Sequence, residues 1–140
     1  MGVGIGPAGL GSRFDSTTFS VIVIPALGGP ERRVGTFANH SISAGLSVAG
    51  LCWTVDSNAL VVSAAESQGR SNGLFLVPLD GGTSKSLTRP SPDESDDTRP
   101  QMSGDGRRLI FLRTNGETGK VMLLSLSPSL EPQGSPSQSL

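Results

Sequence analysis

The chain has 140 residues, 35% of them hydrophobic and 4% aromatic, with 19 Gly and 10 Pro, a composition typical of one turn-rich domain with a small core. Eleven basic and 12 acidic residues give a net charge of -1, which supplies no overall attraction for nucleic acid or an anionic membrane. The single cysteine excludes an internal disulfide and a cysteine-based zinc site, and no apolar run is long enough for a membrane span or ordered as a signal peptide.

The N-terminal segment, residues 1–18, is rich in glycine and unpatterned, so we expect it to be flexible. Gly4, Gly6 and Gly9 have the spacing of a dinucleotide-binding loop. Such a loop needs a buried strand before the glycines and a helix after them, and residues 10–18 are a poor helix. We therefore predict that no dinucleotide binds there.

Short apolar segments separated by turn residues follow, and they repeat. Residues 52–62 align without a gap on 101–111, about 49 positions later, and residues 21–29 align on 74–82 with a shift of about 53. A third copy of the latter half lies at 121–126, and no segment has sustained helical periodicity. The repeats predict an all-β chain of roughly nine strands: two from the first copy, four from the second at 51–54, 59–64, 74–79 and 84–88, and three from the third.

The aligned segments resemble the short β-propeller repeats of the TolB-like, WD-type family. That family has an aromatic residue and Ser, a Pro-Asp-Gly turn, two apolar strands with an Asp-Gly-Gly-like turn, and a closing Leu-Thr. The matching residues here are Trp53-Thr54-Val55-Asp56-Ser57, Leu60-Val61-Val62, Leu76-Val77-Pro78-Leu79-Asp80-Gly81-Gly82, Leu87-Thr88, Ser103-Gly104-Asp105-Gly106 and Leu109-Ile110-Phe111. The chain departs from the family where Val55 and Gly104 replace Pro, Ser57 replaces Gly and Met102 replaces the aromatic residue.

The resemblance implies a partial β-propeller of about two to three antiparallel four-stranded blades at residues 19–127, with a disordered Ser/Pro-rich tail at 128–140. Because propellers close with four to eight blades, three explanations remain open: an excerpt of a larger TolB-like protein, assembly with other copies, or a decayed gene product.

In function, the resemblance implies a non-catalytic bacterial module for protein interaction or sensing, periplasmic if the chain follows TolB. The alternative is the propeller portion of a prolyl-oligopeptidase-like serine peptidase, whose hydrolase domain would perform the chemistry. A fold alone does not decide between them.

Two inserts separate the copies, residues 38–50 and 89–100, and we expect both to contact protein partners, since propellers bind partners at rim loops. The second insert contains an acidic run made of Asp93, Glu94, Asp96 and Asp97. The run lacks the spacing and turn glycine of a calcium loop, so we expect a solvated loop without a metal.

Candidate catalytic residues are few. His40 is the only histidine, and no nucleophile motif accompanies it. Cys52 lies beside Trp53 in an apolar strand, which favours a small buried hydrophobe over a thiolate, and Trp53 is expected to pack between blades. We therefore predict no enzymatic activity, no catalytic, cofactor-binding or metal residues, no cofactor, no nucleic-acid partner and no membrane insertion.

Overall fold

A computed structural model describes residues 2–7, 18–38, 50–67, 70–91, 96–115 and 117–139, with the backbone alone for residues 2–7. Every regular element among these residues is a β-strand, and the strands form three sheets. Sheet 1 contains β1 (Gly2–Pro7), β2 (Thr18–Ile24) and β3 (Arg32–Ala38). Sheet 2 contains β4 (Leu51–Trp53), β5 (Ala59–Ala64), β6 (Gly73–Pro78) and β7 (Lys85–Ser86). Sheet 3 contains β8 (Asp96–Met102), β9 (Arg108–Thr114), β10 (Gly119–Ser125) and β11 (Ser137–Gln138).

Each of the three sheets is an antiparallel meander, with its strands side by side in chain order. The all-β prediction is confirmed, and the four strands predicted for the second copy lie close to their predicted bounds. The described part of the chain contains no helix that could span a bilayer.

The turns that follow β4 and β8 are held by equivalent hydrogen bonds, so the repeat in the sequence is also a repeat in the structure. Thr54 Oγ1 donates to Asp56 Oδ1 at 2.6 Å, and this oxygen also accepts the backbone N–H two residues further along at 3.0 Å. In the later copy, Ser103 Oγ donates to Asp105 Oδ1 at 2.6 Å, and the corresponding N–H lies at 2.9 Å. Aspartate thus closes both turns by accepting local backbone bonds, as turn aspartates commonly do.

Sheet 2 is buried on both faces because it lies between the other two sheets. Every residue of β5 is buried, and successive side chains join different clusters, with Val61 packed toward sheet 3 and Leu60 and Val62 toward sheet 1. The cluster between sheets 2 and 3 consists of Ala59, Val61, Leu74, Leu76, Leu87, Leu109, Phe111, Met122, Leu124 and Leu126. The cluster between sheets 1 and 2 consists of Phe19, Val21, Val23, Leu60, Val62, Ala64 and Val77.

Residues 2–7, part of the segment predicted to be flexible, form β1. This strand pairs with β2 from Gly2 opposite Ile24 to Pro7 opposite Phe19. Pairing to a strand edge uses backbone groups, so it needs no apolar pattern in the added strand. Sheet 1 therefore has three strands where the repeat predicted two, while residues 8–17 lie outside the described residues.

The segment predicted to be a disordered tail, 128–140, contains a hydrogen-bonded turn and a short strand among its described residues, 128–139. Ser127 N–H donates to the Glu131 carbonyl at 2.9 Å, and Glu131 N–H donates to Ser127 Oγ at 3.1 Å, which closes a turn. The chain then returns along sheet 3, where Ser137 and Gln138 pair with β10. The backbone again supplies the contacts, and sheet 3 has four strands where the repeat predicted three.

Candidate interaction surface

The two ends of the sheets carry different loops. At one end, which we call the turn rim, lie the turns at 25–31, 54–58, 79–84 and 103–107. At the other, the connection rim, the chain passes from one sheet to the next, and the described residues there are 38, 50, 65–67, 70–72, 87–91, 115 and 117–118. The first insert predicted to contact partners, 38–50, therefore begins and ends on the connection rim, whereas the second, 89–100, begins there and ends within β8.

The first insert, 38–50, is anchored on sheet 2 at both of its ends. Ala65 N–H donates to the Ala38 carbonyl at 3.0 Å, and Ser63 N–H donates to the Gly50 carbonyl at 3.0 Å. A Cβ added at Gly50 would lie 2.8 Å from the Arg99 Cα, so glycine is required for this close approach to β8. Residues 39–49, His40 among them, lie outside the described residues.

A cleft of about 500 Å³ opens on the connection rim of sheet 2. Across it, Arg89 Nε lies 3.0 Å from Glu66 Oε1, and the two side chains are 73% and 47% exposed. The cleft also contacts the ring of Phe75, while its complete lining is Glu66, Arg70, Ser71, Gly73, Phe75, Thr88, Arg89, Pro90 and Ser91. Residues 89–91 belong to the predicted second insert, whereas no sequence pattern singled out Glu66 or Arg70.

Residues 96–100 of the second insert belong to β8, in contrast to the predicted solvated acidic loop. Asp96 and Asp97 belong to β8, and the Asp97 side chain is buried. The Asp97 carboxylate binds the Arg113 guanidinium at both oxygens, with Oδ1 2.7 Å from Nε and Oδ2 2.9 Å from Nη2. Asp96 Oδ1 accepts the backbone N–H of Asn72 at 2.8 Å. Both carboxylates therefore join β8 to its neighbours, and Asp93 and Glu94 lie outside the described residues.

A second cleft, of about 420 Å³, lies on the turn rim between the two aspartate turns. The pKa of Asp56 lies below its ordinary value chiefly because of the hydrogen bond from the Thr54 hydroxyl. The pKa of Asp105 is lowered in the same way by the Ser103 hydroxyl. Because each carboxylate accepts bonds within its own turn, the pair supports turn structure and is a poor candidate for proton transfer near neutral pH.

Cys52, a candidate for catalysis in the sequence, and its neighbour Trp53 both pack against the core. Cys52 packs against the cluster between sheets 2 and 3, and burial raises the pKa of its thiol to about 11. A thiol with that pKa is almost wholly protonated at neutral pH and is a weak nucleophile. The Trp53 side chain packs against the cluster between sheets 1 and 2, as predicted for a residue between blades.

Two of the three glycines with dinucleotide-loop spacing occupy a strand. Gly4 and Gly6 lie within β1, opposite Ile22 and Ser20 of β2, and Gly9 lies outside the described residues. A phosphate-binding loop would instead place the first glycines in a turn beyond the end of a strand. The two described glycines therefore lack the loop geometry that a phosphate-binding site requires.

No protein-family model and no curated protein sequence matches the chain. Among solved structures, TolB from Acinetobacter baumannii gives a TM-score of 0.56 over 89% of this chain, at 16% sequence identity. A 6-phosphogluconolactonase-type protein from Bacteroides fragilis gives 0.49 over 87% of this chain at 13% identity, a likeness too low to carry an argument. The chain spans 30% of the TolB structure and 33% of the other. The likeness to TolB concerns the fold alone, and it confirms the partial β-propeller.

Proposed function

We propose that the chain is a non-catalytic β-propeller module that binds a protein partner through its connection rim. The observation that carries the proposal is the convergence of three features on that rim: both connections between sheets and the cleft of about 500 Å³. Binding residues are often found on loops that a rigid scaffold positions, and the buried core of sheet 2 supplies such a scaffold.

The chemistry of the cleft suits a polar peptide segment. The Arg89–Glu66 pair is largely exposed, so water screens it and its disruption costs little. A partner carboxylate can therefore replace Glu66 beside Arg89, while Phe75 and Pro90 offer apolar surface to a neighbouring side chain.

The non-catalytic part of the proposal is supported by the surroundings of the groups that could act in catalysis. The Cys52 thiol is protonated at neutral pH because of its burial, and the turn aspartates are held by their own turns. Acyl transfer requires a nucleophile positioned by a base, and the single histidine, His40, stands in a sequence without such a motif.

Site-directed photocrosslinking tests the proposal. A photoreactive residue is placed at Ser91 on the connection rim and, as a matched control, at Thr83 on the turn rim, both exposed positions. In an extract of the cells that make the protein, we expect one defined adduct from the Ser91 position and none from Thr83. Arg89→Glu should abolish the adduct because it repels a partner carboxylate.

The result contradicts the proposal if the adduct forms only from Thr83, or equally from both positions. Survival of the Ser91 adduct in the Arg89→Glu variant would mean that Arg89 does not contribute to the binding surface. Far-ultraviolet circular dichroism of each variant verifies that the sheets are retained.

A further inference from the structure

The outer face of sheet 3 repeats the side chains with which sheet 2 packs on its neighbour. In sheet 2, Val61 pairs with Leu76 across β5 and β6, and both belong to the cluster that faces sheet 3. In sheet 3 the same pairing joins Ile110 to Leu123, and Ile110 stands about 49 positions after Val61. These apolar positions therefore recur on sheet 3, but there Ile110 is 42% exposed.

Val121 extends this exposed face. It lies on β10, two residues from Leu123 and so on the same side of the sheet, at a position equivalent to Leu74 of sheet 2. Leu74 is fully buried against sheet 3, whereas Val121 is 43% exposed. Ile110, Val121 and Leu123 together are here called the sheet 3 end face.

Sheet 1 has apolar residues at the opposite end of the stack, on the face where a preceding sheet would pack. Ile22 and Ile24 of β2 stand about 53 positions before Phe75 and Val77 of β6, which pack toward sheet 1. Ile22 and Ile24 therefore occupy the positions that receive a preceding sheet, and Ile24 is 44% exposed. These two residues are here called the sheet 1 end face.

We infer that a second copy of this chain occupies both faces, with the sheet 3 end face of each copy packed on the sheet 1 end face of the other. The contact continues the interfaces already present between sheets 1 and 2 and between sheets 2 and 3, because the same strand positions meet. A head-to-tail contact makes a ring if its rotation closes. Two copies bring six sheets together, within the range of about four to eight at which propellers close.

Two arginines share these faces and are compatible with the contact. Arg33 is paired with Ile22 across β2 and β3, and Arg108 lies two residues from Ile110 on β9. Both side chains are exposed, and their aliphatic stems can lie along the apolar contact while the guanidinium groups reach water.

Light scattering coupled to size-exclusion chromatography, repeated over a micromolar dilution series, tests the inference with the full chain. The expected species has twice the 14.4 kDa mass of one copy. Val121→Asp and Ile24→Asp should each give a monomer, because each buries a charge in both interfaces of the ring. Val55→Asp is the matched control, since Val55 is 56% exposed on a turn of sheet 2, the middle sheet, and this variant should remain a dimer.

Mixing the two monomeric variants gives a sharper test. The Ile24→Asp copy keeps an intact sheet 3 end face, and the Val121→Asp copy keeps an intact sheet 1 end face, so the mixture should regain a dimer through one restored interface. A wild-type monomer at every concentration would overturn the inference, as would a polydisperse ladder of larger species. Dissociation by Val121→Asp without any effect of Ile24→Asp would mean that two sheet 3 faces meet, and would also overturn it.

Discussion

Arg113→Met should destabilise the protein more than any other single substitution of a charged residue in the described structure. The Asp97 side chain has no exposure to solvent, and Arg113 binds both of its oxygens at 2.7 and 2.9 Å. Met keeps much of the arginine stem but removes the guanidinium. A buried carboxylate would then lack its cation, which typically costs about 3–5 kcal/mol of unfolding free energy.

The exposed pair Lys85–Glu131 provides the matched control. Its atoms are also 2.7 Å apart, but the side chains are 58% and 52% exposed. Lys85→Met should therefore cost less than about 1 kcal/mol, because solvent screens the lost attraction. The comparison separates the effect of burial from that of distance, since the two ion-pair distances are equal.

Urea denaturation at one fixed protein concentration measures both variants, since self-association would otherwise change the midpoint. The double variant Asp97→Leu/Arg113→Met should recover most of the loss, because it leaves no buried charge unpaired. A loss below about 1 kcal/mol for Arg113→Met would refute the reasoning and would mean that water or another donor reaches the Asp97 carboxylate.

Three further substitutions or measurements follow from the structure. Trp53→Ala should lower the free energy of unfolding by about 3 kcal/mol, the lower end of the range for emptying an aromatic site, because Trp53 is only partly buried. The fluorescence emission of Trp53 in the wild type should be blue-shifted if the side chain packs in this way. Ser57→Gly should stabilise the chain by about 0.5–1 kcal/mol in urea denaturation, because Ser57 has φ 59° where its counterpart Gly106 has φ 71°, and strain relief outweighs the entropy that glycine loses. Burial raises the pKa of the Cys52 thiol from 9.0 to about 11, so the stabilisation contributed by the protonated thiol is complete below pH 9 and is lost as the pH rises to 11. The melting temperature of Cys52→Ala should therefore fall less than that of the wild type between pH 9 and pH 11.

The sequence predicted the repeated unit well because the unit is local. Thr54 with Asp56 and Ser103 with Asp105 close their turns through neighbours two residues away, so residue type and spacing alone indicate the turn. The largely apolar run at 59–64 likewise predicted a strand, and β5 occupies these residues. Of the residues that line the cleft, 89–91 belong to an insert that the sequence singled out, whereas Glu66 and Arg70 have no distinctive pattern.

The sequence by itself determined the positions of the strands whose side chains alternate or repeat, and the order in which these strands form sheets. Tertiary structure alone decided the pairing of β1 and β11, because backbone hydrogen bonds to a sheet edge leave no mark in side-chain chemistry. It also decided that the Asp97 carboxylate is buried and paired. The sequence predicted a solvated acidic run there, but the fold places Arg113, 16 residues away, within hydrogen-bonding distance of Asp97. Local turns and strands depend on near neighbours that the sequence displays, whereas edge pairing and buried charge depend on partners that only the folded chain brings together.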